Sequence, residues 1–483
     1  MVVYQMDEAL IIKTYNDGMN AVVTLVKDLN GQISNLTKEV GSLNQRITEL
    51  EARLNKNSNN SSKPPSSDGF KKPRNSREKT GKPTGGQPGH EGRTLEKVEK
   101  PDEVIDLKPD ICNCGCDLSD IKDITRTRQV FEMPVIKIKV IEYRSHEVEC
   151  PCCRKVHKTE FPETVTQPVQ YGENMQAFMA YLTNYQLLPL ERTAEIISDI
   201  LKQNISEGTL VNVNNRLYRN LEEVETSIKD QLKASEIVHF DETGLRSNGK
   251  TNWVHSASTE QLTHYAVHEK RGSKAPKDIG ILPDFEGTAV HDHWASYYTF
   301  DNCSHSECNA HNLRNLKAIY EDYKHEWAKN MAELLVEIKR RIDALKAEGH
   351  SKMDAKEITK YEANYKSIIA KGKLEAPIPV CEKTGKLKKN LEHRLINRLE
   401  KFDIETLSFM YDFRIPFDNN LAERDIRMVK LRQKISGCFR GEESSDMFCR
   451  IRSYISTCRK NGQKVMDSLV KAVKGEPFIP QIP

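Results

Sequence analysis

Ten apolar residues at alternating steps of four and three constrain this chain more than any other feature: Val22, Val26, Leu29, Ile33, Leu36, Val40, Leu43, Ile47, Leu50 and Leu54. A sustained 3.5-residue period predicts one long helix whose apolar seam faces another helix. Val26, Ile33, Val40, Ile47 and Leu54 fall at position a, and Val22, Leu29, Leu36, Leu43 and Leu50 at position d. β-Branched residues at a with Leu at d favour a parallel two-stranded coiled coil. A single amphipathic helix lying on its own domain is the competing reading, and the length of the repeat argues against it. Residues 1–56 are thus expected to pair with a second copy, giving a homodimer or a higher assembly.

The pattern stops at Asn55. Residues 57–97 are rich in Ser, Asn, Pro, Gly, Lys and Arg, a composition that cannot build a core. The net charge of the whole chain is only +3, so local charge matters more than the total. Lys63, Lys71, Lys72, Arg74, Arg77, Lys79 and Lys82 outnumber acids such as Asp68 and Glu78, which suits a segment that lies along phosphates. Lys71, Lys72, Arg74 and Arg77 are the candidate contacts, and a solvated linker is the equally open alternative.

At 483 residues the chain has room for several domains. The N-terminal residues lack the basic start and apolar run of a leader, and no apolar run reaches the ~20 residues that span a membrane, so an intracellular location is expected. Twelve cysteines in such a setting point away from disulfides. Six of them form two knuckles, Cys112-Asn-Cys114-Gly-Cys116 and Cys150-Pro-Cys152-Cys153, separated by strand-like runs such as VIKIKVIEY. Two knuckles around β-like sequence predict a small β-rich domain at 98–165 closed by a structural Zn²⁺ on four thiolates, with free or redox cysteines as the alternative. Cys112, Cys114, Cys150 and Cys153 are the favoured ligands. Residues 166–232 read as helical, with Ser206 placed to cap a helix. A DNA-binding helix-turn-helix and an ordinary helical hairpin share that signature.

The stretch EIVHFDETGLR places Asp241 after the strand-like Ile237, Val238 and Phe240 and before Gly244, so a strand is expected to end at Asp241. Two further β-like runs, NWVHSAST and LTHYAVHE, suggest an antiparallel meander. Thr288 to Val290 form another strand, with Asp292 just beyond its end. Pro416 and the DNN cluster fix the start of a later helix, capped by Asp418 or Asn419, in which Glu423 and Arg427 share a face. Singly these are a turn residue and a surface ion pair. Together they offer the hard oxygen ligands that two divalent cations need. Strand-borne Asp, strand-borne Asp and helical Glu, in that order, are the arrangement of ribonuclease H-like phosphoryl-transfer enzymes. Arg424, Arg427, Lys430, Arg432 and Lys434 follow Glu423 and would contact a phosphate backbone. His239, His291 and His293 also flank the acids and allow a His-based metallohydrolase, although strand alternation turns His291 and His293 away from Asp292.

NSSKPPSSDG with GGQPGHEG, the cysteine knuckles, HFDETGLR, VHDHWASY, CNAHNLRNLK and DNNLAERDIR, in this order, resemble the transposases of the sixty-six family of bacterial insertion sequences. The resemblance implies a multi-domain chain: coiled coil, zinc-binding domain, and an α/β ribonuclease H-like catalytic core at 233–465, followed by a tail at 466–483. A helical insertion of the core is expected at about 316–402. The resemblance further implies a catalytic triad of Asp241, Asp292 and Glu423 holding two Mg²⁺ or Mn²⁺ ions. The implied activity is cutting at the element ends and transfer of a 3′-hydroxyl to target DNA, without a covalent protein intermediate. Companion proteins of the same element and a place at the nucleoid in the cytoplasm are implied as well. Cys308-Asn-Ala-His311 matches a Cys-x-x-His signature and reads as packing or orienting rather than as zinc ligation, with His305 nearby. The first knuckle departs from the more usual Cys-x-x-Cys-Gly. A catalytically inactive, zinc-containing DNA-binding protein is the alternative reading.

Overall fold

A computed structural model describes residues 8–57, 60, 95–120, 124–376, 391–441 and 443–481. Lys71, Lys72, Arg74 and Arg77 lie outside the described residues. Two compact units divide the chain, one from 1–74, 162–193 and 206–483, the other from 75–161 and 194–205.

Two helices open the first unit, α1 (Glu8–Asn16) and α2 (Met19–Leu54). The heptad segment is thus one unbroken helix of 36 residues. Val26, Ile33, Leu36, Val40, Leu43, Ile47, Leu50 and Leu54 are each at least 50% exposed and Val22 and Leu29 are half-buried, so most of the seam is not spent on this chain's own core.

In the second unit the only strands among the described residues are β1 (Glu147–Glu149) and β2 (Val156–Lys158), an antiparallel hairpin around the second knuckle. Arg154 N–H donates to the Cys150 carbonyl at 2.8 Å, and Gly115 N–H donates likewise to Cys112 at 2.8 Å in the first knuckle. The expected strand at VIKIKVIEY does not form: Val135 to Tyr143 are irregular, with Val135, Val140 and Ile141 exposed. Strand-like composition expresses itself only when a neighbour completes the ladder, and among the described residues none pairs with this run.

The first unit continues with α3 (Glu173–Ala180), a single π-turn, α4 (Leu190–Leu201, which runs into the second unit), α5 (Glu207–Asn220) and α6 (Glu222–Lys233). Ser206 caps α5 as expected, its hydroxyl accepting from Thr209 N–H at 3.2 Å. A mixed five-stranded sheet follows: β3 (Ile237–Ser247), β4 (Lys250–Ser258), β5 (Thr263–His268), β6 (Thr288–His291) and β7 (Ser304–Glu307), with α7 (Lys274–Ile279) between β5 and β6. The order is β5-β4-β3-β6-β7. The first three strands are the expected antiparallel meander, and β3, β6 and β7 run parallel.

Between β7 and the last three helices lie α8 (Asn309–Tyr323), α9 (Glu326–Ala347), α10 (Ala355–Glu375), α11 (Leu391–Lys401) and α12 (Asp403–Tyr411). They bury a core of their own around Trp327, Met331, Leu335, Ile338, Tyr365 and Leu399. The chain then returns to the sheet with α13 (Asn420–Ser436), α14 (Ser444–Lys460) and α15 (Val465–Lys474). Ile426, Val429 and Phe448 from these helices close over Leu245, Val254 and Tyr265 of the meander. Burial of apolar faces from both segments holds α13 flat on the strands that carry the acids.

Candidate active site

β3 and β6 pair in parallel with the register Ile237↔Thr288, Val238↔Ala289 and His239↔Val290, a constant offset of 51. Carried two residues further, the same offset sets Asp241 beside Asp292. Neighbouring strands lie about 4.8 Å apart, so backbone pairing brings the two carboxylates together before any side chain is considered. Asp292 follows the last residue of β6, as expected. Asp241 does not end its strand: β3 runs on through Asp241↔Ser256 and Gly244↔Trp253 to Ser247↔Lys250. The turn comes at Asn248 and Gly249, with φ of 50° and 73°, the left-handed pair that a two-residue hairpin prefers. What ends near Asp241 is pairing with β6, while β4 goes on satisfying the other edge.

Each aspartate is fixed by a backbone donor. Glu242 N–H donates to Asp241 Oδ1 at 2.9 Å, and Trp294 N–H donates to Asp292 Oδ1 at 3.0 Å. Burial, then the charges of Glu242, Asp292 and Glu423, push the Asp241 carboxyl well above its ordinary range. Burial and Glu242 push Asp292 up to about 6. Glu423, partly buried, is raised by burial against the opposing pull of Arg314. These shifts are first those of carboxylates taken out of water, with neighbouring acids adding to them.

Glu423 reaches the site from the first turn of α13, and the residue that fixes this turn is Asn419. From the sequence, Asp418 or Asn419 is expected to cap this helix. Asp418 does accept from Asn420 N–H at 3.0 Å, but the Asn419 side chain turns inward. Its Nδ2 donates to the Phe240 carbonyl at 2.7 Å and its Oδ1 accepts from His239 Nδ1 at 2.8 Å. Its backbone N–H donates to Cys308 Sγ at 3.1 Å. One buried amide thus ties α13 to the residue preceding Asp241.

Several neighbours carried no sequence signal. Glu242 is almost wholly buried; its Oε1 accepts from Arg271 Nη2 at 2.7 Å and Nε at 3.0 Å, and its Oε2 from the Tyr297 hydroxyl. Arg271 lies 4.9 Å from the Trp253 ring centroid and 4.4 Å from that of Trp294, stacked on both tryptophans. From the helical insertion, Arg398 donates to Asn312 Oδ1 at 2.7 Å and holds Asp292 below the value burial alone would give. Such contacts join residues far apart in sequence and leave no local pattern.

Of the flanking histidines, His239 and His291 are engaged with protein partners rather than free to serve as metal ligands beside the two aspartates, while His293 Nδ1 is buried without a hydrogen-bond partner. His239 serves Asn419. His291 is buried against Tyr297 and pairs with His305 at 2.9 Å, which occupies His305 as well. His293 meets the His311 ring edge to face at 5.6 Å, and burial with nearby arginine charge keeps the pair neutral, at about 2 and about 3.

Of the basic residues after Glu423, Arg424, Arg427 and Lys434 are exposed. Lys430 donates to the Gly244 carbonyl at 2.7 Å. Arg432 departs from the expected phosphate contact: it is half-buried, stacks on Phe439 at 5.6 Å and bonds Ser436. An arginine placed every few residues along a helix cannot face solvent each time, and position 432 falls toward the sheet.

In the knuckles, the backbone N–H of Cys114 lowers the Cys112 thiol, and those of Cys153 and Cys152 lower the Cys150 thiol. The four favoured sulfurs do not gather, however. Among the described residues one group of three ligand atoms lies within 4.8 Å of one another, and it is Cys308, His311 and Glu423.

Compared with known protein families, residues 168–447 match the Transposase IS66 family, a span of more than half the chain that holds both aspartates and Glu423. The chain belongs to this family. As an IS66-family transposase it is a DNA-transposing enzyme of mixed α/β build with an N-terminal helix. Residues 18–96 of the transposase match a second family, of unknown function (DUF6444), which takes in α2. No curated protein matches. No helix among the described residues of the transposase is long and apolar enough to cross a membrane.

Proposed function

We propose that the transposase cuts DNA at its element ends and joins the freed 3′-hydroxyl to target DNA, with Asp241, Asp292 and Glu423 as the catalytic acids of a ribonuclease H-like core. The observation that carries this reading is the register of parallel β3 and β6, whose offset carried two residues past the last pair sets Asp241 beside Asp292, with Glu423 tied to β3 through Asn419. The sheet order, three antiparallel strands continued by two parallel ones, supports it.

The donors suit Mg²⁺ or Mn²⁺: they are hard carboxylate oxygens, and burial, with like charge nearby, raises Asp241 and Asp292, a cost that bound cations would offset. Bound to Asp241, Asp292 and Glu423, two such ions would supply Lewis acidity to the attacking and leaving oxygens of the phosphodiester. The chain's own contribution is position. The Trp294 N–H orients Asp292, while Glu242 and Arg271 brace the two strand segments. Arg424 and Arg427 stand ready for the phosphates on the exposed side of α13. No serine or tyrosine nucleophile is required.

The α2 seam is assigned to pairing of two chains, so that two element ends can be held at once. Lys71, Lys72, Arg74 and Arg77, with helices α4 and α5, are assigned to DNA contact. The knuckle cysteines Cys112, Cys114, Cys150 and Cys153 are assigned to structural Zn²⁺. Companion proteins of the same element and action at the nucleoid complete the proposal.

The test is cleavage of labelled element-end DNA by the full chain, with Mg²⁺ and with chelator, for the natural sequence and for Asp241→Asn, Asp292→Asn and Glu423→Gln. Metal-dependent cutting that falls by a factor of about a thousand or more in all three, with DNA binding retained, is the expected result. Binding without cutting in the natural chain, unchanged by the substitutions, would instead mark an inactive DNA-binding protein.

A further inference from the structure

Cys308 and His311 occupy the start of α8, and Glu423 the start of α13. Asn419 bridges the two helix starts, its N–H donating to Cys308 Sγ at 3.1 Å. Cys308 is completely buried. His311 Nδ1 is buried without a hydrogen-bond partner and faces Glu423 Oε1 at 3.8 Å, too far for a hydrogen bond. Thiol, imidazole and carboxylate ligand atoms all lie within 4.8 Å of one another. A buried ring nitrogen left unpaired beside a thiol and a carboxylate is costly, and a packing role for Cys-x-x-His gives no reason for it.

We propose that Cys308, His311 and Glu423 bind a borderline-soft divalent cation of the Zn²⁺ class, separate from the hard-cation pair, and that this ion fixes the carboxylate of Glu423. One thiolate, one imidazole and one carboxylate make the mixed sulfur, nitrogen and oxygen set that Zn²⁺ accepts and Mg²⁺ does not. Three protein ligands leave a fourth position open. Cys308 enters as thiolate, so binding releases its thiol proton to solvent, and thiolate with carboxylate balances the 2+ charge. The Asn419 N–H then serves as the backbone donor to the bound sulfur. Arg314, 3.5 Å from Glu423 Oε1, serves as the outer partner of the carboxylate.

The idea rests on the proposed reading in one respect, that Glu423 is a catalytic acid, and its test is made without DNA. Cobalt(II) is the probe, because a cobalt–thiolate bond absorbs in the near ultraviolet. The full chain with its six knuckle cysteines replaced by serine is titrated, and bound cobalt is counted. One equivalent with a thiolate band is expected, lost on adding Cys308→Ser and weakened by about tenfold or more by His311→Ala, while Cys303→Ser leaves both unchanged. No thiolate band in the knuckle-free chain, or a band that survives Cys308→Ser, would overturn the proposal. Circular dichroism checks folding throughout. Should the knuckle-free chain be unfolded, the count is repeated with the knuckles intact: Cys308→Ser alone must then remove one equivalent, and an unchanged count overturns the site. Asp241→Asn must keep the Cys308 cobalt band whatever it does to cutting. A chain that cuts DNA yet binds no cobalt at Cys308 refutes this site alone. One that binds cobalt there but never cuts supports the site and refutes the proposed chemistry.

Discussion

Asn419 shows what a residue-by-residue reading can find and what it cannot. Its place in a DNN cluster ahead of a helix marked it as a cap, and the helix does begin there. The direction of its side chain is set by the Phe240 carbonyl and His239, partners about 180 residues away that no local pattern reveals. Asn419→Ala would leave a buried carbonyl and a buried imidazole donor unpaired, at a cost of about 2–4 kcal/mol in urea unfolding. It would also let α13 drift from β3, so cutting is expected to fall by about a hundredfold even where the protein stays folded. A variant that unfolds more easily yet cuts at the natural rate would show that Asn419 does not place Glu423. Glu242, Arg271 and Arg398 were equally invisible in the sequence, being ordinary charged residues whose partners the fold chooses.

Strands and helices were far more legible than their ends. The runs at 237–240, 252–259, 262–269 and 288–290 mark the strands, because apolar and β-branched residues suit a pleated surface that is covered. β3 runs past Gly244, a residue that suggests a turn, because β4 supplies a partner that carries the ladder beyond it. VIKIKVIEY departs from expectation for the opposite reason, since a strand without a partner is not a strand. The junction of β6 with β3 is the element-scale weak point. Gly287 precedes β6, and a Cβ there would meet the Ser235 carbonyl at 2.7 Å as well as the Glu236 carbonyl, which already accepts from Thr288 N–H at 2.7 Å. Gly287→Ala is expected to push β6 away from β3, lowering stability by about 1–3 kcal/mol in urea unfolding and reducing cutting. Unaltered stability and activity would show that the loop yields without moving Asp292.

At the scale of the whole molecule the heptad seam was legible from spacing alone, and the structure leaves it facing outward on α2. Leu36→Asp combined with Val40→Asp is expected to turn a dimer into a monomer in light scattering. Unfolding of the sheet-bearing unit should shift by no more than about 0.5 kcal/mol, since both side chains are exposed in the single chain. A dimer that survives both charges would place the contact elsewhere. On the pairing proposal, an outward seam makes the protein a gauge of its own abundance. While chains are scarce most are single, and the supply of pairs follows the square of their number, so halving the dose would leave about a quarter of the competent assemblies.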